Sequence, residues 1–396
     1  MPPPPHPVRL VGGRVVTRQE VLDDVDVRIE GDRIVELVPR DEPTNRETVV
    51  AVDGAWLIPG LIDIHADYIE RMVEPRPKAL LDLRFALRQA ERELVTHGIT
   101  TMFHSLSLYG FDAFASSVVR QPDHTRALIE LIHASHDAEH LIHHRCHARF
   151  EIDNVDRVEE LAGYLQDGKV HLLSFMDHTP GQGQYRDLEV FRSTVKGYRG
   201  IDDAAVEKLV ALSKRREKLD ADAMRLLASL AARNGVAVAS HDDDSCAKVD
   251  LARELGASIS EFPITLEVAR HARATGQHTV AGAPNVLLGG SHSGNLSATD
   301  AVLDGVVDVL CSDYYPAALL TSVFRLHRDH GLPLADAIAL VTANPAEAVR
   351  MGDETGAIEA GKRADLLAVR ALDDGTPVVE RAFIAGVPVY AVEYRR

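Results

Sequence analysis

Eight short apolar segments, five of them finishing on a histidine or a carboxylate and most of them separated by amphipathic stretches, constrain this chain more than any other feature. They are "GLIDIH" (60–65), "ITTMFHSL" (99–106), "LIHHRCHARFE" (141–151), "VHLLSFMDH" (170–178), "VAVASH" (236–241), "SISEF" (258–262), "TVAGAPNVLL" (279–288) and "VVDVLCSD" (306–313). Apolar runs of this length suit strands buried on both faces, and helices between successive strands are the mark of a parallel sheet. Between the first two lies "LRFALRQAERELVTHG", an amphipathic helix that Gly98 terminates. Eight such units predict an α/β fold, a (β/α)8 TIM barrel.

The text on either side of the eight units is different. Residues 8–59 hold short alternating strands, with "VRIEGD" and "RIVELV" joined by a Gly-Asp hairpin signal, and the last forty residues return to the same β character. We therefore expect a small β-sandwich domain formed from both termini: 1–58 its N-terminal part, 59–352 the barrel, 353–396 its C-terminal part. A chain of 396 residues has room for a barrel of about 250 plus this accessory domain.

Composition narrows the function. A formal charge of −17 argues against nucleic-acid binding, which rests on a basic surface, and requires a local basic pocket for any anionic substrate. No window has the roughly 18–20 apolar residues of a membrane span, and no basic-then-apolar leader opens the chain, so the cytoplasm is expected. Cys146, Cys246 and Cys311 lie far apart without a CxxC pair, which indicates neither a disulfide framework nor a thiolate zinc site.

Active sites of such barrels form at the C-terminal ends of the strands. Here those ends carry His65 and Asp67, His104, Glu151, Asp177 and His178, His241, Glu261, Asn285 and Asp313. Positions i and i+2 of a strand share a face, so His65 and Asp67 can grip one ion. Imidazoles from His65, His241 and His178 (or oxygen from Asp177), with Asp67, Glu151 and Asp313 to neutralise charge, suit a divalent metal ion, with zinc first and manganese or iron as alternatives. One or two ions fit the set, and Glu151 is a candidate bridge. Asp313 is placed to hold or accept a proton from metal-activated water. His104 reads better as a hydrogen-bonded structural residue. Glu261 stands open between the site and an ion pair with an arginine, and Asp242 to Asp244 read as charges at a helix start.

Basic and glycine-rich loops follow several strands. Arg71, Arg76 and Lys78 follow the first, Gln182, Gln184 and Arg186 beside Gly181 and Gly183 follow the fourth, and His292 and Asn295 follow Gly289 and Gly290 after the seventh. Strand three adds Arg145, His147 and Arg149 at alternate positions. Backbone N–H groups at such glycines, together with cationic side chains, can cradle phosphate oxygens.

"PGLIDIH", "SH" at strand five, "SD" at strand eight and "NPAEAVRMGDETGAIEAGKRADLLAV" resemble the amidohydrolase superfamily of metal-dependent hydrolases over nearly the whole chain. The motifs "HADYIERMVEPRP", "RCHARFE", "FMDHTPGQGQ", "SHDDD" and "GGSHSGN" are similar to a branch that cleaves phosphoric anhydrides. That resemblance implies a small phosphorylated-sugar substrate, release of diphosphate, and His65, Asp67, Glu151, His178, His241 and Asp313 as metal-site residues. It further implies that Arg76, Arg149, Gln182, Gln184, Arg186, His292 and Asn295 hold the substrate's phosphoryl groups. The chain departs from the superfamily's His-x-His, having His65-Ala66-Asp67, and has no evident strand-four lysine. Alternatives are hydrolysis of a C–N bond at the same metal centre and a silent barrel kept for assembly. Monomer and homo-oligomer both stay open.

Overall fold

The computed structural model describes residues 7–44, 46–109, 117–182, 188–199, 201–290 and 296–395. Eight parallel strands lie in chain order in one sheet: Leu61–Ala66, Ile99–Leu108, His143–Glu151, Leu172–Met176, Ala237–His241, Ile259–Glu261, His278–Gly282 and Val309–Cys311. Sequential parallel neighbours need a crossover each time, and the helices supply it on the outer face. The fold is thus the expected TIM barrel.

The seam between strands eight and one is bridged at its upper end, where Ala66 pairs with Asp313. Asp313 N–H donates to the His65 carbonyl at 3.0 Å, and Asp67 N–H to the Asp313 carbonyl at 3.0 Å. Lower down, the strands diverge and the 340–341 segment fills the gap: Leu310 N–H donates to the Leu340 carbonyl and Ile62 N–H to that of Val341, each at 2.9 Å. These four bonds supply backbone partners at the seam without a full ladder.

Both termini build the sheets outside the barrel. Four strands order as Arg33–Pro39, Val25–Glu30, Val8–Val11, Thr48–Ala51, and six as Val387–Ala391, Pro377–Ile384, Leu366–Ala371, Trp56–Pro59, Arg14–Val16, Val21–Leu22. The expected hairpin is present, turning at Gly31 with φ of 61°. Leu10, Val27, Ile29 and Leu57 pack with Leu366 and Phe383 in one core, which ties the two ends of the chain together. Buried Arg9 staples the first sheet by donating to Asp26 at 3.0 Å and to the carbonyls of Glu42 and Pro39 at 2.8 Å each.

After strand one and the short helix Tyr68–Val73, the crossover helix runs Leu83–Thr96, with the Asp82 side chain accepting from Phe85 N–H at its start. Ala86, Leu87, Ala90, Leu94 and Val95 bury one face at i, i+3/i+4 spacing. One expectation is corrected: strand seven ends at Gly282, and Ala283–Leu288 is helix, so "TVAGAPNVLL" is not one strand. Pro284 occupies the first turn of that helix, where its missing N–H is harmless. Asn285 consequently points no ligand into the barrel mouth; its amide donates to the Leu296 carbonyl and its oxygen accepts from Ala298 N–H, both at 2.9 Å.

Gly98 has φ of 84°, and a Cβ there would sit 2.8 Å from Leu367 Cδ1. Gly98→Ala therefore combines left-handed strain with a clash where the terminal sheet meets the barrel. It should lower stability by about 1–3 kcal/mol, read as a reduced urea midpoint.

Candidate metal centre

Three strand ends turn through the left-handed region: Asp242 (φ 51°), Phe262 (54°) and Asp313 (57°), after strands five, six and eight. Non-glycine residues adopt this conformation at a cost of order 1 kcal/mol or more each, and such residues gather where side chains must be aimed. Here the turns bring polar side chains over the barrel mouth. The His65 and His241 rings lie 5.3 Å apart between centroids, His178 and His241 6.1 Å, and the Phe262 ring packs at 5.0 Å from His65 and 5.2 Å from His241.

Among the described residues, two groups each have their ligand atoms within 4.8 Å of one another: His65, His241 and Glu261, and His178, His241 and Asp242. A neutral imidazole offers a single lone pair, so these are alternative uses of His241. His241 Nδ1 stands 3.1 Å from an Asp242 carboxylate oxygen. Its Nε2 is buried with no hydrogen-bond partner among the described residues, and so is Asp67 Oδ1. Buried polar atoms left unpaired are uncommon. An imidazole nitrogen and carboxylate oxygens meeting there match the donor set of a divalent cation.

The electrostatics point the same way. Burial, then the charge of Asp67, pushes the Asp313 carboxyl up to about 7. Asp63, buried behind the seam and accepting from the N–H groups of Ser312 and His65, is pushed up to about 6 by burial. Burial, reinforced by Arg149, holds His65 well below the ordinary histidine value, so it is neutral. His147 is pushed down to about 3 by burial. Burial also works against charge on Asp242 and His178, but their neighbours prevail: His241 draws Asp242 down to about 2, and Glu151 raises His178. A pocket crowded with carboxylates whose burial favours protonation is one that a cation would relieve.

Most of the residues singled out for the metal converge here, with a changed division of labour. Glu151 holds His178 through a short bond to Nδ1. The carboxylate beside His65 is Glu261: one of its oxygens lies 2.9 Å from His65 Nδ1, and the other accepts from Ser174 Oγ at 2.7 Å. The arginine partner considered for Glu261 is therefore replaced by a histidine and a serine. Asp242 and Asp243 are likewise no helix-start charges. Asp242 lies against His241, Asp243 accepts from Ser240 and Ser260 at 2.6 Å each, and the helix begins at Cys246 with Ser245 as its cap. A solvated acidic run and a buried one look alike in sequence; only the left-handed turn at Asp242 separates them. Asp177 pairs with Lys218 at 2.9 Å, and His104 faces outward to His144 at 2.9 Å, which is the structural role expected of it.

For substrate groups the picture is uneven. Arg149 projects beside the centre, its Nε buried and without a partner among the described residues. Arg120, which the sequence did not single out, lies 2.8 Å from Glu70 and 3.9 Å from Asp67. Arg76 and Gln182 are exposed. Gln184, Arg186, His292 and Asn295 lie outside the described residues.

Comparison with known proteins places this geometry. The amidohydrolase family model matches residues 56–389. The α-D-ribose 1-methylphosphonate 5-triphosphate diphosphatase of Escherichia coli K12 is 36% identical over 333 residues, covering 81% of this chain and 85% of that protein. Dihydroorotase of Methanopyrus kandleri is also 36% identical, but over 103 residues, 22% of this chain and 24% of the relative. Among solved structures, N-acetylglucosamine-6-phosphate deacetylase from Pasteurella multocida superposes with a TM-score of 0.64 at 13% identity, covering 96% of this chain and 99% of that one. At that identity the likeness is one of fold. With a family match over most of its length, the chain belongs to the amidohydrolase family.

Proposed function

We propose that this protein hydrolyses the triphosphate of α-D-ribose 1-methylphosphonate 5-triphosphate, or a close analogue, leaving the 5-phosphate and releasing diphosphate. The observation that carries the reading is the 36% identity, over 85% of its length, to a protein of that activity. The site supports it: a cation position built from His65, His241 and neighbouring carboxylates stands next to an arginine with an unused donor. Zinc heads the candidate metals, with manganese and iron behind it.

When bound, a divalent cation supplies Lewis acidity and lowers the pKa of a coordinated water toward neutrality. The chain's own residues do the rest. The Asp313 carboxyl, whose proton affinity sits near neutral pH, accepts a proton from the attacking water and can return one to the departing group. Arg149 neutralises phosphoryl oxygens as negative charge gathers on them, and Arg76 meets the outer phosphates from its exposed loop. Neutral His65 offers a nitrogen lone pair without adding positive charge that would repel a cation.

Phosphorus NMR of the reaction mixture decides between this reading and cleavage of a C–N bond. Diphosphate appearing with the ribosyl 5-phosphate sustains the proposal, whereas amine release from a cyclic amide, with the triphosphate untouched, overturns it. Asp313→Asn and His241→Ala should each keep the fold by circular dichroism and lower kcat by roughly 10²–10⁴-fold; wild-type turnover in either removes that residue from the mechanism. Arg149→Ala should raise KM for the triphosphate by about tenfold or more, with zinc affinity unchanged.

Stability should carry a pH signature. Asp313 binds its proton more tightly folded than unfolded, so between the ordinary carboxylate pKa and about 7 the metal-free fold loses stability as pH rises. A cation displaces that proton. The increase in Tm on adding zinc should therefore grow from pH 5.5 to about 7.5 and then level off, and Asp313→Asn should flatten the trend.

A further inference from the structure

Behind His65 the barrel interior holds a ring of hydrogen bonds drawn from five of the eight strands. Ala66 N–H donates to Ser105 Oγ at 3.0 Å, and Ser105 Oγ meets His147 Nδ1 at 3.1 Å. His147 Nε2 meets Ser174 Oγ at 2.5 Å, and Ser174 Oγ donates to one Glu261 oxygen at 2.7 Å. The other Glu261 oxygen accepts from His65 Nδ1 at 2.9 Å, which returns the path to the strand where it began. Ser105, His147, Ser174 and Glu261 have no exposed surface.

The proton positions in this ring follow from valence. As a carboxylate, Glu261 accepts at both oxygens, so the single Ser174 proton points to it. Ser174 oxygen must then accept from His147, which puts the His147 proton on Nε2. A neutral His147 is left with a lone pair on Nδ1, and that nitrogen takes the Ser105 proton. Ser105 oxygen, its own proton committed, accepts the backbone N–H of Ala66. One assignment satisfies every member, and it requires the His65 proton on Nδ1. The opposite tautomer would set a nitrogen lone pair against a carboxylate oxygen at 2.9 Å, too close for a water to sit between them.

We infer that Ser105, His147, Ser174 and Glu261 are positioning residues whose ring fixes His65 as its Nδ1–H tautomer, so that Nε2 is the atom it offers to a cation. Glu261 on this account is the acceptor that orients His65, although its carboxylate lies close enough to His65 and His241 to be counted as a ligand. The last step, from tautomer to cation, rests on the metal-dependent reading above; the ring itself does not. Locking the orientation of a ligating imidazole through its second nitrogen typically changes metal affinity by 10- to 100-fold.

The test uses the full-length metal-free protein. Nitrogen-15 histidine spectra, with His65 assigned by the signal lost in His65→Gln, report which nitrogen carries the proton, and zinc affinity is measured by competition with a chromophoric chelator. Wild type should show His65 protonated at Nδ1. Ser174→Ala should mix the two tautomers and weaken zinc binding by about 10- to 100-fold, and Ser174→Thr, which keeps the hydroxyl, should restore both. Should Ser174→Ala not fold, Ser105→Ala cuts the ring at a residue that touches neither His65 nor Glu261, and it should move the His65 signal in the same direction. A wild-type His65 protonated at Nε2, or a tautomer and zinc affinity unmoved by either serine variant, overturns the inference. A wild type that takes up no zinc, yet whose Nδ1–H tautomer depends on Ser174, sustains the ring and defeats the metal reading instead.

Discussion

The backbone hydrogen bonds that join His65 and Asp67 to Asp313 sit at the one place where the barrel's first and last strands meet, and much of the rest depends on them. Below that point the strands part, and the 340–341 segment takes over their partners. Closing the barrel and bringing together residues about 250 positions apart in sequence are thus one event. A sheet that failed to close would leave Asp313 far from His65 and leave unpaired backbone groups in an apolar interior. Barrel stability and site assembly are coupled through those two bonds.

Everything near the seam shows what this arrangement demands. Asp63, Asp67, Asp242, Glu261 and Asp313 gather within a few strand ends, and three chain turns occupy a conformation that ordinary residues avoid. Neither feature favours the fold on its own. Large apolar clusters lie between the strands and the outer helices, and a second apolar layer of Ile62, Ile64, Phe103, Leu172, Ala239 and Val309 fills the lower barrel. These provide the surplus that tolerates the strain and the like charges above. The hydroxyls of Ser105 and Ser174 mark the boundary between the apolar layer and the polar mouth. They are small enough to fit and polar enough to satisfy His147 and Glu261.

The terminal sheets act on the site only indirectly. Trp56–Pro59 runs into strand one through Gly60, whose N–H donates to the Asp365 carbonyl at 2.8 Å, and Leu366–Ala371, from the other end of the chain, pairs with Trp56–Pro59. The position of strand one is therefore fixed from below by residues that arrive last in the sequence. The barrel's entry point is anchored before His65 is reached.

Local pattern was enough to reveal the eight strands, the helix ending at Gly98 and the histidine-and-carboxylate strand ends, because burial on two faces forces apolar runs and a polar residue at the end of such a run stands out. It also singled out His65, Asp67, His178, His241 and Asp313, whose side chains meet at the mouth. Pairing was another matter. That Glu261 serves His65 while Glu151 serves His178, that Asp242 and Asp243 are buried, and that Asn285 belongs to a helix all depend on which strand ends face one another across the barrel. Distances across a closed sheet are set by strand order, stagger and left-handed turns, and none of these leaves a periodic trace in the chain. Composition and periodicity decided which residues would be polar inside an apolar shell; the tertiary structure decided which of them share protons.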